Sequence, residues 1–113
     1  MTIKEQIKSN VAVLYLKGNM TGGPESLELH DKVKSLMNDK INKVVIDLSK
    51  VNWMNSSGLG TLMACMTSLK NADGEMKISG TTEKIQNLFV ITKLVTVFDT
   101  YETADRAVAG FIS

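Results

Sequence analysis

Ser56 and Ser57 stand side by side after Asn55 and before Gly58-Leu59-Gly60, and a hydroxyl set between a strand-like segment and a helix is where a nucleophilic serine would be sought. The spacing argues against that chemistry. A Gly-x-Ser-x-Gly elbow centred on Ser56 needs glycine where Met54 stands, and one centred on Ser57 needs it at both Asn55 and Leu59. The base would have to be His30, the single histidine, which stands beside Asp31 in the polar part of a helix and reads as solvated. The glycine clusters Gly22-Gly23 and Gly58-Leu59-Gly60 raise phosphate binding next. Neither continues into Gly-Lys-Ser/Thr, and no Gly-x-Gly-x-x-Gly is present, so nucleotide hydrolysis is unsupported. As local structure, Gly22-Gly23 reads as a turn, and Gly58 and Gly60 read as room for close packing where a helix begins.

What the serine segment does offer is a hydroxyl at a helix N-terminus. Asn or Ser there accepts hydrogen bonds from free backbone N–H groups as an N-cap. A phosphoryl group in the same place would add roughly −1.5 to −2 charges where the helix dipole favours an anion. The domain would stay folded while the surface around it changed sign. That combination suits a switch read by a partner.

The elements that hold this segment can be read from hydropathy. Ile3 and Ile7 lie in a polar first strand, Asn10 in a turn, and Val11 to Leu16 in a second strand ending at Lys17-Gly18. Thr21-Gly22-Gly23-Pro24 stops the chain and starts a helix, with Leu29, Val33, Leu36 and Met37 as its apolar stripe and Asn38-Asp39 as its end. Val44-Val45-Ile46-Asp47-Leu48 has the near-continuous apolar run of a central strand covered on both faces. Ser49-Lys50-Val51-Asn52 reads as a polar connector, after which Leu59, Leu62, Met63, Met66 and Leu69 line a second helix closed by Asn71 to Gly74. A brief strand at Met76 to Ile78, a helix through Ile85, Leu88 and Phe89, a last strand at Val95 to Phe98 and a final helix through Ala104, Ala107, Val108 and Phe111 complete the chain. Met63 and Met66 are expected in the core, as are Trp53 and Met54 on the general tendency of such residues to be buried. Strands alternating with helices predict one α/β domain over residues 1–113, with a sheet mostly parallel after its first hairpin.

Composition removes several functions. Thirteen Lys and Arg against 12 Asp and Glu leave a formal charge of +1, with the lysines dispersed, so nucleic-acid binding is not expected. Cys65 is the single cysteine: it has no disulfide partner, suits a reducing cytoplasm, and with His30 alone cannot build a tetrahedral metal site. It reads as a small buried hydrophobe. No apolar stretch approaches the roughly 18 residues that span a bilayer, and the polar opening reads as folded chain, so no membrane insertion is expected.

The stretch Asn52-Trp53-Met54-Asn55-Ser56-Ser57-Gly58-Leu59-Gly60 resembles the Asp-Ser-Ser/Thr-Gly-Leu-Gly signature of bacterial anti-sigma factor antagonists, the stand-alone STAS domains. Leu16-Lys17-Gly18, Val44 to Leu48, Gly74-Glu75-Met76, Leu88-Phe89, Thr92-Lys93-Leu94 and Val97-Phe98 follow in that family's order. The resemblance implies a mixed α/β sheet of about four to five strands with about four helices packed on it. It also implies a protein that is a ligand and a substrate and has no catalytic residues, cofactor or metal of its own. Its partners would be an anti-sigma factor that is a serine kinase of the GHKL type and a PP2C-type phosphatase. By position the phosphorylated residue is Ser56, with Ser57 a weaker candidate that would cap the helix or position the hydroxyl. Thr21, Gly22, Asn55, Ser56, Ser57, Gly58 and Leu59 are the expected partner-binding residues. Two positions depart from the family pattern: Asn55 replaces the usual Asp, and Thr21-Gly22-Gly23 stands where many relatives carry an acid. A second reading is an accessory STAS subunit of a membrane lipid-transport ATPase, a role that needs no phosphorylation.

Overall fold

Ser9 and Asn10 take φ values of 52° and 69°, the pair of positive angles that a two-residue type I′ hairpin requires. In the computed structural model, which describes residues 1–112 and, apart from Glu25, their side chains, they join β1 (Thr2–Lys8) to β2 (Val11–Met20) in antiparallel register. β3 (Lys43–Met54), β4 (Glu75–Ser79) and β5 (Asp99–Tyr101) then add in parallel, giving a mixed sheet in the order β1-β2-β3-β4-β5. The helices are α1 (Pro24–Asn38), α2 (Ser56–Asn71), α3 (Glu83–Ile91) and α4 (Ala104–Ile112).

Side-chain alternation along the strands divides the core. Leu14, Leu16, Ile46, Leu48 and Ile78 pack with Leu29, Leu62, Leu69, Ile85 and Phe89 of the first three helices. On the opposite face, Val11, Val13 and Val45 lie beneath Ala104, Ala107 and Val108 of α4. Cover on both faces explains why Val44 to Leu48 is so nearly continuous an apolar run.

Three expected boundaries are corrected. β2 does not stop at Gly18, and Ser49 to Asn52 is not a connector: both strands run on, to Met20 and Met54. Register shifts between Tyr15 and Lys17 and between Gly18 and Asn19 absorb the extra residues of β3 and let the polar stretch stay paired. The third concerns Val95 to Phe98, which forms turns and not a strand. Val97 and Phe98 both donate to the Leu94 carbonyl, at 3.0 Å, and Phe98 packs its ring 5.1 Å from that of Phe89. Val95 and Phe98 anchor this loop to the core, while Val97 stays exposed.

The last strand is the more polar Asp99–Tyr101, and Lys77 holds it in place. The Lys77 ammonium, largely buried, lies 2.6 Å from Asp99 and 2.8 Å from Glu75, and beneath the rings of Tyr101 and Phe111. Burial alone would lower its pKa. The hydrogen bonds to Asp99, Glu75 and Tyr101 outweigh that effect and hold it above the ordinary lysine value.

Candidate functional site

Met20 and Met54 are the last paired residues of β2 and β3. Beyond them the β2–α1 loop and the start of α2 stay tied together. The Asn55 backbone is extended, φ −100° and ψ −175°, and its N–H donates to the Met20 carbonyl at 3.1 Å. Its side chain then works in two directions: Oδ1 accepts from the Gly58 N–H at 2.9 Å, and Nδ2 donates to the Thr21 carbonyl at 3.0 Å. Asn55 is therefore the N-cap of α2. Ser57 is not, because it is already the second helical residue; its carbonyl instead accepts from the Thr61 hydroxyl at 3.0 Å.

Glycine is required on both sides of this junction. Gly58 lies against the Met20 carbonyl so closely that a Cβ would overlap it. Gly22, at φ 89°, would bring a Cβ to 2.7 Å from that of Ser57. Gly60 has no such role: nothing lies within 4 Å of where its Cβ would be, so the expected close packing occurs at Gly58 alone of the two. The expected residues thus meet in one place. Thr21, Ser56 and Ser57 are exposed, Gly22 and Asn55 half-buried, and Gly58 and Leu59 buried beneath them.

Other candidate residues lie elsewhere. His30 is not simply solvated: half-buried, it pairs its Nε2 with the Ser68 hydroxyl at 3.1 Å, an α1–α2 contact. Ser68 is twelve residues beyond Ser56, roughly 18 Å along the helix at the ordinary rise, so no histidine base stands by the serines. Cys65 is fully buried, and burial pushes its thiol up to about 12. Met54 and Met66 are buried and Met63, partly buried, packs against the same core, but Trp53 is 43% exposed, contrary to expectation. Its indole lines a groove of about 250 Å³ with Ile85, Leu88 and Ile91 of α3. Among the described residues no three His, Cys, Asp or Glu side chains converge as metal ligands, and no helix is long and apolar enough to cross a membrane.

One buried group escaped the sequence reading. Asp47, in the middle of β3, accepts from the Ser49 and Ser79 hydroxyls at 2.5 and 2.8 Å and from the Ser49 N–H at 3.1 Å. It lines a groove of about 400 Å³ with Lys4, Gln6, Tyr15, Ser49 and Lys50. The available signal was a lone acid inside an otherwise apolar strand.

This junction of a strand end, a capped helix and an exposed serine pair fits the expected family, and the STAS domain model matches residues 2–107. The chain belongs to the STAS domain family. An anti-sigma-B factor antagonist of Staphylococcus aureus (strain NCTC 8325 / PS 47) is 31% identical to this STAS domain over 67 residues, covering 59% of the chain and 62% of the relative. The STAS domain therefore matches less than two thirds of that relative's length. Among solved structures, an anti-sigma factor antagonist from Mycobacterium paratuberculosis superposes with a TM-score of 0.84 at 23% identity, covering 99% of this chain and 94% of the other. The Bacillus cell fate determinant SpoIIAA in its phosphorylated form superposes with a TM-score of 0.74 at 14% identity, covering 97% and 99%. These two likenesses are of fold.

Proposed function

We propose that this STAS domain is an anti-sigma factor antagonist, a binding protein without catalytic activity whose partner contact is governed by reversible phosphorylation of Ser56. The observation that carries the reading is the exposed Ser56 side chain at the first position of α2, beside a cap that Asn55 alone supplies. Because the cap does not use the serine, its hydroxyl is free to be modified without unfolding the helix start. The first backbone N–H groups of a helix have no carbonyl one turn back, and no acid occupies the first turn of α2. A phosphate there would meet donors and the positive end of the dipole.

The partner is a serine kinase of the GHKL type that doubles as the anti-sigma factor, and a PP2C-type phosphatase restores the hydroxyl. Thr21, Gly22, Asn55, Ser56 and Ser57 form the contact surface, with Gly58 and Leu59 shaping it from below. The domain acts in the cytoplasm, without a cofactor. Support comes from the S. aureus relative, named an anti-sigma-B factor antagonist, and from the phosphorylated form in which SpoIIAA was solved.

The test is phosphosite mapping by mass spectrometry on the protein isolated from its own cells, before and after serine phosphatase. Phosphate on Ser56 that the phosphatase removes, and that is lost in Ser56→Ala but kept in Ser57→Ala, is the expected result. An unmodified protein that copurifies with membrane ATPase subunits would overturn the reading in favour of a transporter accessory.

A further inference from the structure

Asn55 makes four hydrogen bonds: its carbonyl accepts from the Leu59 N–H within α2, and the other three join α2 to β2 and the loop in directions fixed by their partners. The Met20 and Thr21 carbonyls can only accept, and the Gly58 N–H can only donate. The side chain must therefore present an acceptor to α2 and a donor to the β2–α1 loop at once. An amide does this. A carboxylate of the same shape presents acceptors only, so it would keep the helix cap and set one oxygen against the Thr21 carbonyl.

The loop that this donor holds is tied at its far end to α1, where the Gly23 carbonyl accepts from the Ser26 and Leu27 N–H groups at 3.0 and 3.3 Å; ahead of that, the Thr21 carbonyl is held by Asn55. Thr21 to Gly23 lies between β2 and α1 with Gly22 and Gly23 at φ 89° and 76°, in the region that glycine enters freely. Its second attachment toward α2 is steric: Gly22 sits where any Cβ would strike Ser57. Both of these attachments toward α2 end on the segment that carries Ser56.

We infer that Asn55 is a neutral clamp that joins the β2–α1 loop and the Ser56 turn into one recognition surface, and that an acid at this position releases the loop while leaving α2 capped. The surface a partner reads then includes Thr21 and Gly22 at a fixed place relative to the Ser56 hydroxyl. That the joined surface serves the switch rests on the proposed function; the clamp itself does not. Asn55 is a positioning residue in this scheme.

The sign of the effect separates the clamp from a cap. If capping were the whole role, Asn55→Asp would be neutral or slightly stabilising, since Asp caps as well as Asn and its charge suits the helix N-terminus. The clamp predicts a loosened loop. The residues bonded to Asn55 from β2, the loop and α2, namely Met20, Thr21, Gly58 and Leu59, carry no titratable side chain, so among these bonded groups the introduced carboxyl is the one that titrates. Protonated, it regains a donor and can bond the Thr21 carbonyl again.

The experiment is backbone ¹⁵N relaxation on the full chain, comparing wild type with Asn55→Asp and Asn55→Ser between pH 7 and pH 3. At pH 7 the order parameters of Thr21 and Gly22 should fall from the rigid range of about 0.85 in the wild type to below about 0.6 in Asn55→Asp. They should recover on acidification with a midpoint near about 4. Asn55→Ser, which caps but is too short to reach Thr21, should be loose at every pH. Order parameters in Asn55→Asp equal to wild type at pH 7, or loosening that acid does not reverse, would overturn the clamp. A loosened loop with no phosphate on Ser56 in cells would keep the clamp and remove the switch. A phosphorylated Ser56 with an unmoved loop in Asn55→Asp would do the reverse.

Discussion

Gly58 rests against the carbonyl oxygen of Met20 with no room for a side chain between them. The first turn of α2 is thereby seated on the last residue of β2, and the exposed serines are held by backbone contact. Gly60, two residues on, has open space around it. Gly→Ala in a helix ordinarily gains up to about 1 kcal/mol, so the two positions should respond with opposite signs. Gly58→Ala should lose about 1–3 kcal/mol as the strand end or helix shifts, and Gly60→Ala should gain about 0.5–1 kcal/mol. Urea unfolding midpoints of the two variants measure this, and a stabilised Gly58→Ala would show that the seat is loose.

A charge at Ser56 should act on binding and leave folding alone. Ser56→Asp places an anion at the helix N-terminus, where it is favourable by about 0.3–1 kcal/mol, so its unfolding midpoint should match or exceed wild type. Its affinity for the kinase partner should fall. The fall will be smaller than for phosphate, which carries more charge and more acceptors. Calorimetric titration of the kinase partner with wild type and Ser56→Asp measures this. Equal titration curves for wild type and Ser56→Asp would argue against charge as the release mechanism.

Lys77 fastens β5 and α4 to the rest of the sheet. Lys77→Met keeps an unbranched apolar side chain but removes the ammonium that lies against Tyr101 and Phe111 and leaves Glu75 and Asp99 without their cation. Both carboxylates are about half exposed and can rehydrate, so the loss at pH 7 should be about 1–2 kcal/mol, below that for a fully buried pair. Because the folded pKa is raised, the contribution is complete below the ordinary lysine value of 10.5, declines above it and is lost only as pH rises through the raised folded value. Thermal melts of wild type and variant should therefore converge at alkaline pH. A constant gap would assign the effect to packing.

Cys65 adds a second alkaline weakness. Its thiol ionises at about 12 when folded, against 9.0 unperturbed, because burial disfavours the thiolate. Between those values the unfolded chain gives up a proton that the folded one keeps, so stability falls as pH rises through this window, by up to about 1.4 kcal/mol per pH unit. Cys65→Ala should flatten that slope at some cost in stability from the lost side chain. Melts between pH 8 and pH 11 would show it, and an unchanged slope would place the thiol in contact with water.

Where the local pattern and the final environment agreed, the sequence was a sound guide. The Val44 to Leu48 run could be stable only if covered on both faces, and it is. The Asn55-Ser56-Ser57-Gly58 order announced a helix start, and Pro24 after two glycines announced another. Trp53 departed because burial tendencies describe an average, while the end of β3 leaves its indole half in a groove on α3. Asp47 was passed over because a single acid in a strand does not reveal the serines, one of them 32 residues away, that satisfy it.

The final strand marks the division most clearly. Hydropathy favoured Val95 to Phe98, and two of those residues, Val95 and Phe98, do turn inward, but in a loop anchored by Phe98 on Phe89 that leaves Thr96 and Val97 exposed. Asp99 to Tyr101 pairs with β4 because Lys77 reaches across to Asp99. The sequence by itself determined the alternation of strands and helices and a capped helix start at the Asn55-Ser56-Ser57 segment, since each depends on neighbours within a turn or two of chain. Tertiary structure alone decided which strand closed the sheet, why residue 58 must be glycine, and that the Thr21 carbonyl is held by Asn55. Those outcomes depend on groups 22 to 38 residues apart, brought within bonding distance only when the sheet assembles.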